Sequence, residues 1–310
     1  MSSKSILLVG VPADHGSWRK GCLMGPDALR TAGIMDMLER LGYEVTDSGN
    51  LVSEPSTEIH HSNPQVHHLS DYAALISSLD QFCQTEVKDQ HLPIFIGGDH
   101  CIAAGILPAL ARQSDDAGQE QFVLWLDAHT DFQTLESTDT GNLHGTPVTY
   151  MIGDPSFKGF FPAPAKPIKP ENICMMGIRS VDPAERERIA RTGIDVHDMR
   201  AIDEFGIAPP LRRFIDRVRR ANGRLHVSLD IDFLDPGIAP AVGTTVAGGV
   251  NFREAHLMME ILYDSGLVTS LDIAELNPFL DDRGQTSKLV VDLIASLFGQ
   301  RVLDTQTRSI

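Results

Sequence analysis

An α/β fold is expected from this sequence, with a mostly parallel sheet covered by helices on both faces. Short apolar runs, each stopped by Gly, Pro or an acidic residue, alternate from end to end with longer segments of helical apolar spacing. Near-continuous apolar strands belong to sheets buried on both sides. No composition break, internal repeat or low-complexity block divides the 310 residues, so a single domain over 1–310 is expected.

Ile6–Val9 reads as the first strand, stopped by Gly10 and Pro12. A Gly-rich loop from Gly16 to Gly25 leads to Pro26, which suits the first turn of a helix running through Leu41. Tyr43–Thr46 is a second strand. The polar stretch 53–68 holds His60, His61, His67 and His68 among Ser, Asn, Pro and Gln, and reads as a solvated loop. Leu69–Val87 has helical spacing, Leu92–Ile96 is a strand, and Gly97-Gly98-Asp99-His100 precedes a helix over Cys101–Ala111. Phe122–Leu126 is the next strand. Residues 131–144 form a loop rich in Thr, Ser and Gly, and 155–170 a Pro-rich connection. Asn172–Met176 is a strand, Pro183 starts a helix, and 208–221 is a further helix. Leu225–Leu229 is a strand, 235–249 a loop and Phe252–Tyr263 a helix; Val268–Ile273 and Thr286–Phe298 are the last strand and the closing helix.

A formal charge of -16 argues against sequence-independent nucleic-acid binding, which needs a basic face, and gives no reason to expect binding to an anionic membrane. It suits a cationic substrate. Cys22, Cys83, Cys101 and Cys174 lack zinc-finger or redox spacing and read as buried reduced thiols. No apolar run reaches the length of a membrane span or of a signal-peptide core, so a cytoplasmic protein is expected.

Ligands bind beyond the carboxyl ends of the strands in such sheets. After Leu92–Ile96 comes His100; after Phe122–Leu126 come Asp127, His129 and Asp131. Asp230 and Asp232 follow Leu225–Leu229, and Glu275 follows the last strand. Each piece alone reads equally well as a capping or loop residue. Four carboxylates brought together without cations would repel one another and destabilise the fold. Two divalent cations balance Asp127, Asp131, Asp230 and Asp232, and two neutral imidazoles complete the set. The oxygen-rich donors favour manganese over zinc. A water shared between two such ions becomes a nucleophile near neutral pH.

Gly97-Gly98-Asp99-His100, Asp127-Ala128-His129-Thr130-Asp131 and Ser228-Leu229-Asp230-Ile231-Asp232-Phe233-Leu234-Asp235-Pro236 together resemble the ureohydrolase (arginase–agmatinase) family over nearly the whole chain. The resemblance implies a three-layer α/β/α sandwich around an eight-stranded parallel sheet, two Mn2+ per subunit, and a homo-oligomer, trimeric or hexameric. It implies one ion on His100, Asp127, Asp131 and Asp230 and another on His129, Asp127, Asp230 and Asp232. Thr140-Gly141-Asn142-Leu143-His144-Gly145 and Gly177–Glu185 resemble the substrate loops of the arginase branch. By that resemblance Asn142 and Thr140 contact the α-carboxylate of L-arginine, Asp182 its α-amino group, and Glu185 supports that end. His144 resembles the proton-shuttling histidine, Glu275 the carboxylate paired with the guanidinium, and Thr244 a nearby hydroxyl contact. Gln133 stands where the arginase branch has asparagine and Thr140 where it has serine, so the α-carboxylate contact is expected to shift. The implied reaction is manganese-dependent hydrolysis of L-arginine to L-ornithine and urea. Agmatine or 4-guanidinobutyrate is the neighbouring substrate; a one-metal zinc deacylase or a non-catalytic binding protein would be set apart by metal stoichiometry and turnover.

Overall fold

The computed structural model describes residues 5–301; the polar end at 304–310 lies outside the described residues. In chain order the elements are β1 (Ser5–Gly10), α1 (Gly25–Thr31), α2 (Ile34–Arg40), β2 (Val45–Asn50), α3 (Leu69–Glu86), β3 (His91–Ile96), α4 (Ile102–Asp116), β4 (Gln121–Leu126) and α5 (Pro147–Met151). There follow β5 (Ile173–Ile178), α6 (Pro183–Ile189), β6 (Asp195–Asp198), α7 (Met199–Phe205), α8 (Ala208–Arg220), β7 (Arg224–Asp230), α9 (Phe252–Ser265), β8 (Val268–Ala274) and α10 (Gln285–Leu297). The eight strands form one sheet in the order β2-β1-β3-β8-β7-β4-β5-β6. Every pairing is parallel, which sharpens the mostly parallel expectation.

Alternation along the strands sends side chains to two cores. Phe122, Leu124 and Leu126 of β4 pack with Leu38 of α2, Phe214 of α8, Met258 of α9 and Val290 of α10. Val123 and Trp125 of the same strand pack instead against Leu107 of α4 and Val148 of α5. Helices therefore cover both faces, giving the three layers expected. No helix among the described residues is long and apolar enough to cross a membrane.

The expected helix from Pro26 to Leu41 is two helices: Gly33 at φ +91 breaks it, while the apolar spacing runs on through Ile34, Met37 and Leu38. The strand β6 and the helix α7 add to the expected elements. The histidine-bearing stretch is less solvated than expected. The His61 side chain is buried, and Asn63 Nδ2 donates to the Leu135 and Thr138 carbonyls. The His67 amide also donates to the Gly141 carbonyl. This segment therefore braces the loop that follows β4.

Candidate metal centre and substrate cleft

Strands β3, β8, β7 and β4 stand side by side, and residues just beyond their carboxyl ends converge. Leu126 pairs with Leu229, so Asp127 and Asp230 leave neighbouring strands at the same level. The turn carrying His100 needs the glycine before Asp99. Gly98 sits at φ +77, and a Cβ there would lie 2.5 Å from the Val11 carbonyl oxygen. Asp131 and Glu275 also hold left-handed backbone, at φ +45 and +66, a strain that persists only where the surroundings impose it.

His100 Nδ1 lies 3.0 Å from Asp127 Oδ2, 3.2 Å from Asp230 Oδ2 and 3.3 Å from Asp131 Oδ2. His129 Nδ1 lies 3.0 Å from Asp232 Oδ2 and 3.5 Å from Asp127 Oδ1. Five of the six residues thus fall into two ligand-like groups, His100–Asp127–Asp131 and Asp127–His129–Asp232, which share Asp127; Asp230 joins them through its contact with His100. One imidazole N–H can serve only one of three carboxylates. His100 Nδ1 and Asp127 Oδ2 are both buried and make no aligned hydrogen bond. Buried polar atoms left so, amid four carboxylates, are what divalent cations would satisfy, and the donor set fits them.

The electrostatics agree. Burial, then repulsion from Asp232 and Asp127, pushes Asp230 well above the carboxylate range; burial and Asp127 push Asp232 up as well. Burial and the Asp127 charge push Asp131 up to about 7. Asp127 stays low against its burial because His100 and His129 bond to it. Burial opposes charge on His100 and His129, but the carboxylates win and raise both.

A cavity of about 290 Å3 opens over the cluster. Its lining includes His129, Asp131, Asp230 and Asp232, together with Gln133, Thr140, Asn142, His144, Asp182, Glu185, Thr244 and Glu275. His100 and Asp127 lie buried behind it. His144 Nδ1 is 2.8 Å from Glu275 Oε1, which also accepts the His100 backbone N–H at 2.9 Å. Burial would lower the His144 pKa, but the Glu275 charge and hydrogen bond raise it to about 9. The same contact holds Glu275 below its ordinary value despite burial.

At the outer end Asp182 is exposed at the start of α6, and Gln133 Nε2 donates to its Oδ2 at 2.6 Å. Buried Glu185 accepts from Thr130 Oγ1, the Phe132 amide and the Asp182 amide, so it ties the loop after β4 to the start of α6. Arg179 donates to the Asp232 and Val246 carbonyls, fixing the loop that carries exposed Thr244.

Some residues in this region were not anticipated. Trp18 and Ser180 line the cleft, and the Trp18 amide donates to Asn142 Oδ1. Cys22 Sγ lies 3.7 Å from Glu275 Oε2. Ser228, His226 and Asp272 sit beneath His100. The last three carried a signal: polar residues alternating with Leu, Val and Ile inside two central parallel strands, β7 and β8, where apolar side chains are the rule.

Residues 4–299 match the family model described as Arginase family. The chain belongs to the arginase family. It is 56% identical over 302 residues to an arginase of Brucella melitensis, covering 97% of this chain and 98% of that one. The solved arginase of Bacillus subtilis superposes with a TM-score of 0.85 at 37% identity, over 96% of this chain and 99% of that one. An Entamoeba histolytica arginase solved with L-ornithine gives a TM-score of 0.85 at 27% identity, over 97% and 100%. Membership of the arginase family makes the chain a hydrolase of the ureohydrolase type with a metal-dependent site.

Proposed function

We propose that this chain hydrolyses L-arginine to L-ornithine and urea, using two divalent ions and manganese by preference. The observation that carries the proposal is the two-ended cleft. Its inner end brings Glu275 and His144 to the carboxylate cluster, and its outer end offers Asp182, Gln133, Thr140 and Asn142. That spacing of functions matches a guanidinium at one end and an amino-acid head group at the other. The relatives named arginase, and the solved one holding L-ornithine, support the same substrate.

His100, Asp127, Asp131 and Asp230 would hold one ion; His129, Asp127, Asp230 and Asp232 would hold the other, with Asp127 and Asp230 bridging. Bound there, the ions would supply Lewis acidity and lower the pKa of a water toward neutrality. Glu275 pairs with the guanidinium through charge-assisted hydrogen bonds. Its Oε1 already serves His100 and His144, so Oε2 has the capacity left for substrate. His144 Nδ1 is committed to Glu275, which leaves Nε2 to pass a proton to the departing amine. With a pKa of about 9, His144 carries that proton at neutral pH. Asp182 pairs with the α-amino group, Asn142 and Thr140 with the α-carboxylate, and Thr244 adds a hydroxyl at the rim. Gln133 steadies Asp182, and Glu185 supports both loops from behind.

The reading extends to one domain over 1–310, a homo-oligomer of three or six subunits and a cytoplasmic location; light scattering on the purified protein checks the second. The function is tested by urea release from L-arginine, agmatine and 4-guanidinobutyrate after loading with Mn2+ or Zn2+. Release from L-arginine with Mn2+ is expected to exceed the other combinations. If agmatine or 4-guanidinobutyrate is turned over and L-arginine is not, the substrate assignment fails while the reaction class stands.

A further inference from the structure

A row of buried polar side chains runs beneath the candidate metal centre, on β7 and β8. His100 Nε2 lies 2.8 Å from Ser228 Oγ, and Ser228 Oγ donates to Asp272 Oδ1 at 2.9 Å. Asp272 Oδ2 accepts from His226 Nε2 at 2.7 Å, and His226 Nδ1 lies 2.8 Å from Ser270 Oγ. All five side chains are buried. Across the sheet Ser228 pairs with Asp272 and His226 with Ser270, while Leu225, Val227, Leu229, Leu271 and Ile273 turn to the opposite, apolar core. Polar groups in such a position are costly unless every one is hydrogen-bonded, and a satisfied network fixes one arrangement.

The direction of these bonds has a chemical consequence. A carboxylate only accepts, so the single Ser228 proton goes to Asp272 and the Ser228 oxygen is left to accept from His100. His100 therefore keeps its proton on Nε2, and Nδ1 is the atom aimed at Asp127, Asp131 and Asp230. We propose that Asp272, acting through Ser228, is a positioning residue that fixes the Nε2–H form of His100 and so presents the Nδ1 lone pair to a metal ion. His226 holds Asp272 in that orientation. The assignment rests on the two-metal reading above. Partners of this kind, which bond to the far nitrogen of a ligating histidine, orient the ring and raise its basicity.

With His226 Nε2 donating to the amide oxygen, Asp272→Asn turns its N–H groups toward Ser228, which releases the Ser228 proton toward His100 Nε2 and favours the imidazole proton on Nδ1, where the ion would bind. The test compares wild type, Asp272→Asn, Ser228→Ala and Ser228→Thr after chelation. Mn2+ affinity is read by chelator competition, stoichiometry by elemental analysis, and stability by melting of the chelated proteins. Wild type is expected to take two ions. Asp272→Asn and Ser228→Ala are expected to weaken one of them by about 10- to 100-fold, and Ser228→Thr, which keeps the hydroxyl, to retain it. Ser228→Ala carries the test if Asp272→Asn does not fold, since it leaves the Asp272–His226 pair in place. Unchanged affinity in both variants, or a loss that merely follows the chelated melting temperatures, would overturn the assignment while leaving the two-metal reading intact. A wild type that binds no Mn2+ would overturn both.

Discussion

The proposed contact of Asp182 with an α-amino group would give one exposed carboxylate a large share of the selectivity. Asp182 stands at the outer end of the cleft, held by the Gln133 amide at 2.6 Å and backed by Glu185 through its own N–H. A charge-assisted hydrogen bond to an α-ammonium contributes roughly 1.5–3 kcal/mol, or about a 10- to 100-fold effect on binding. Asp182→Ala is therefore expected to lower kcat/KM for L-arginine by about that factor. Turnover of 4-guanidinobutyrate, which has no amino group to pair, is expected to change little; steady-state urea assays on both compounds check this, and an equal loss on both would refute the role. The longer Gln133 reaches Asp182 itself, so its amide is spent on holding a neighbouring side chain. The ligand-like residues were readable because each is a charged group just past an apolar strand. Ser228 and Asp272 carried only the weaker signal of polar residues inside apolar strands, which by itself names no role for them. Cys22 and Trp18 escaped for a different reason: they reach the cleft from a loop more than 250 and more than 100 residues away from Glu275 and Asn142, and no local pattern reports such a contact.

The central strands were readable from their apolar runs, and the edge was not. Strand β6 is Asp-Val-His-Asp, four residues with one aliphatic side chain, paired on one side only. An edge strand is stabilised by its neighbour, so its own sequence need not look like a strand. The opposite edge, β2, is also polar and largely exposed, and a different device fixes it. Arg30 of α1 grips Asp47 with two hydrogen bonds, Nε to Oδ2 at 2.8 Å and Nη2 to Oδ1 at 2.9 Å. The Arg30 hydrogen bonds hold the Asp47 carboxyl below its ordinary value against partial burial. A depressed carboxylate contributes stability above its unfolded-state pKa of about 4 and loses it as pH falls through the lower folded value. Allowing for solvent screening, Asp47→Asn is expected to cost about 1–2 kcal/mol at pH 7. The gap to wild type is expected to narrow as pH falls below about 4, measured by urea unfolding of the chelated proteins. A gap that stays constant or widens toward pH 3 would show that the ion pair is not its source.

The alternation of strands and helices follows from composition and period, and it fixes which ends of the strands can carry chemistry. Strand order decides the rest. Because β3, β8, β7 and β4 are adjacent, three separate segments deliver His100, Asp127 and Asp230 to one point. No spacing in the sequence states that order; the shared chemistry of the ligands suggested only that these strand ends converge. The cost of the arrangement falls on the protein as a whole, since burial and mutual repulsion push Asp230, Asp232 and Asp131 up together. Cations that bind the folded chain and not the unfolded one offset that cost in proportion to their concentration, by about 2.7 kcal/mol per site at a hundred times the dissociation constant. Chelation of the wild type is thus expected to lower its melting temperature by roughly 5 °C or more. Asp230→Asn should reverse the order. The variant loses one of the mutually repelling carboxylates, so its chelated form is expected to melt above chelated wild type, whereas adding Mn2+ should stabilise it far less than it stabilises wild type. Paired melts with chelator and with Mn2+ give all four values. If chelated Asp230→Asn melts below chelated wild type, repulsion among these carboxylates is not what the metal relieves. The cluster would then owe its tolerance to the hydrogen bond that Asp230 accepts from the Asp232 amide.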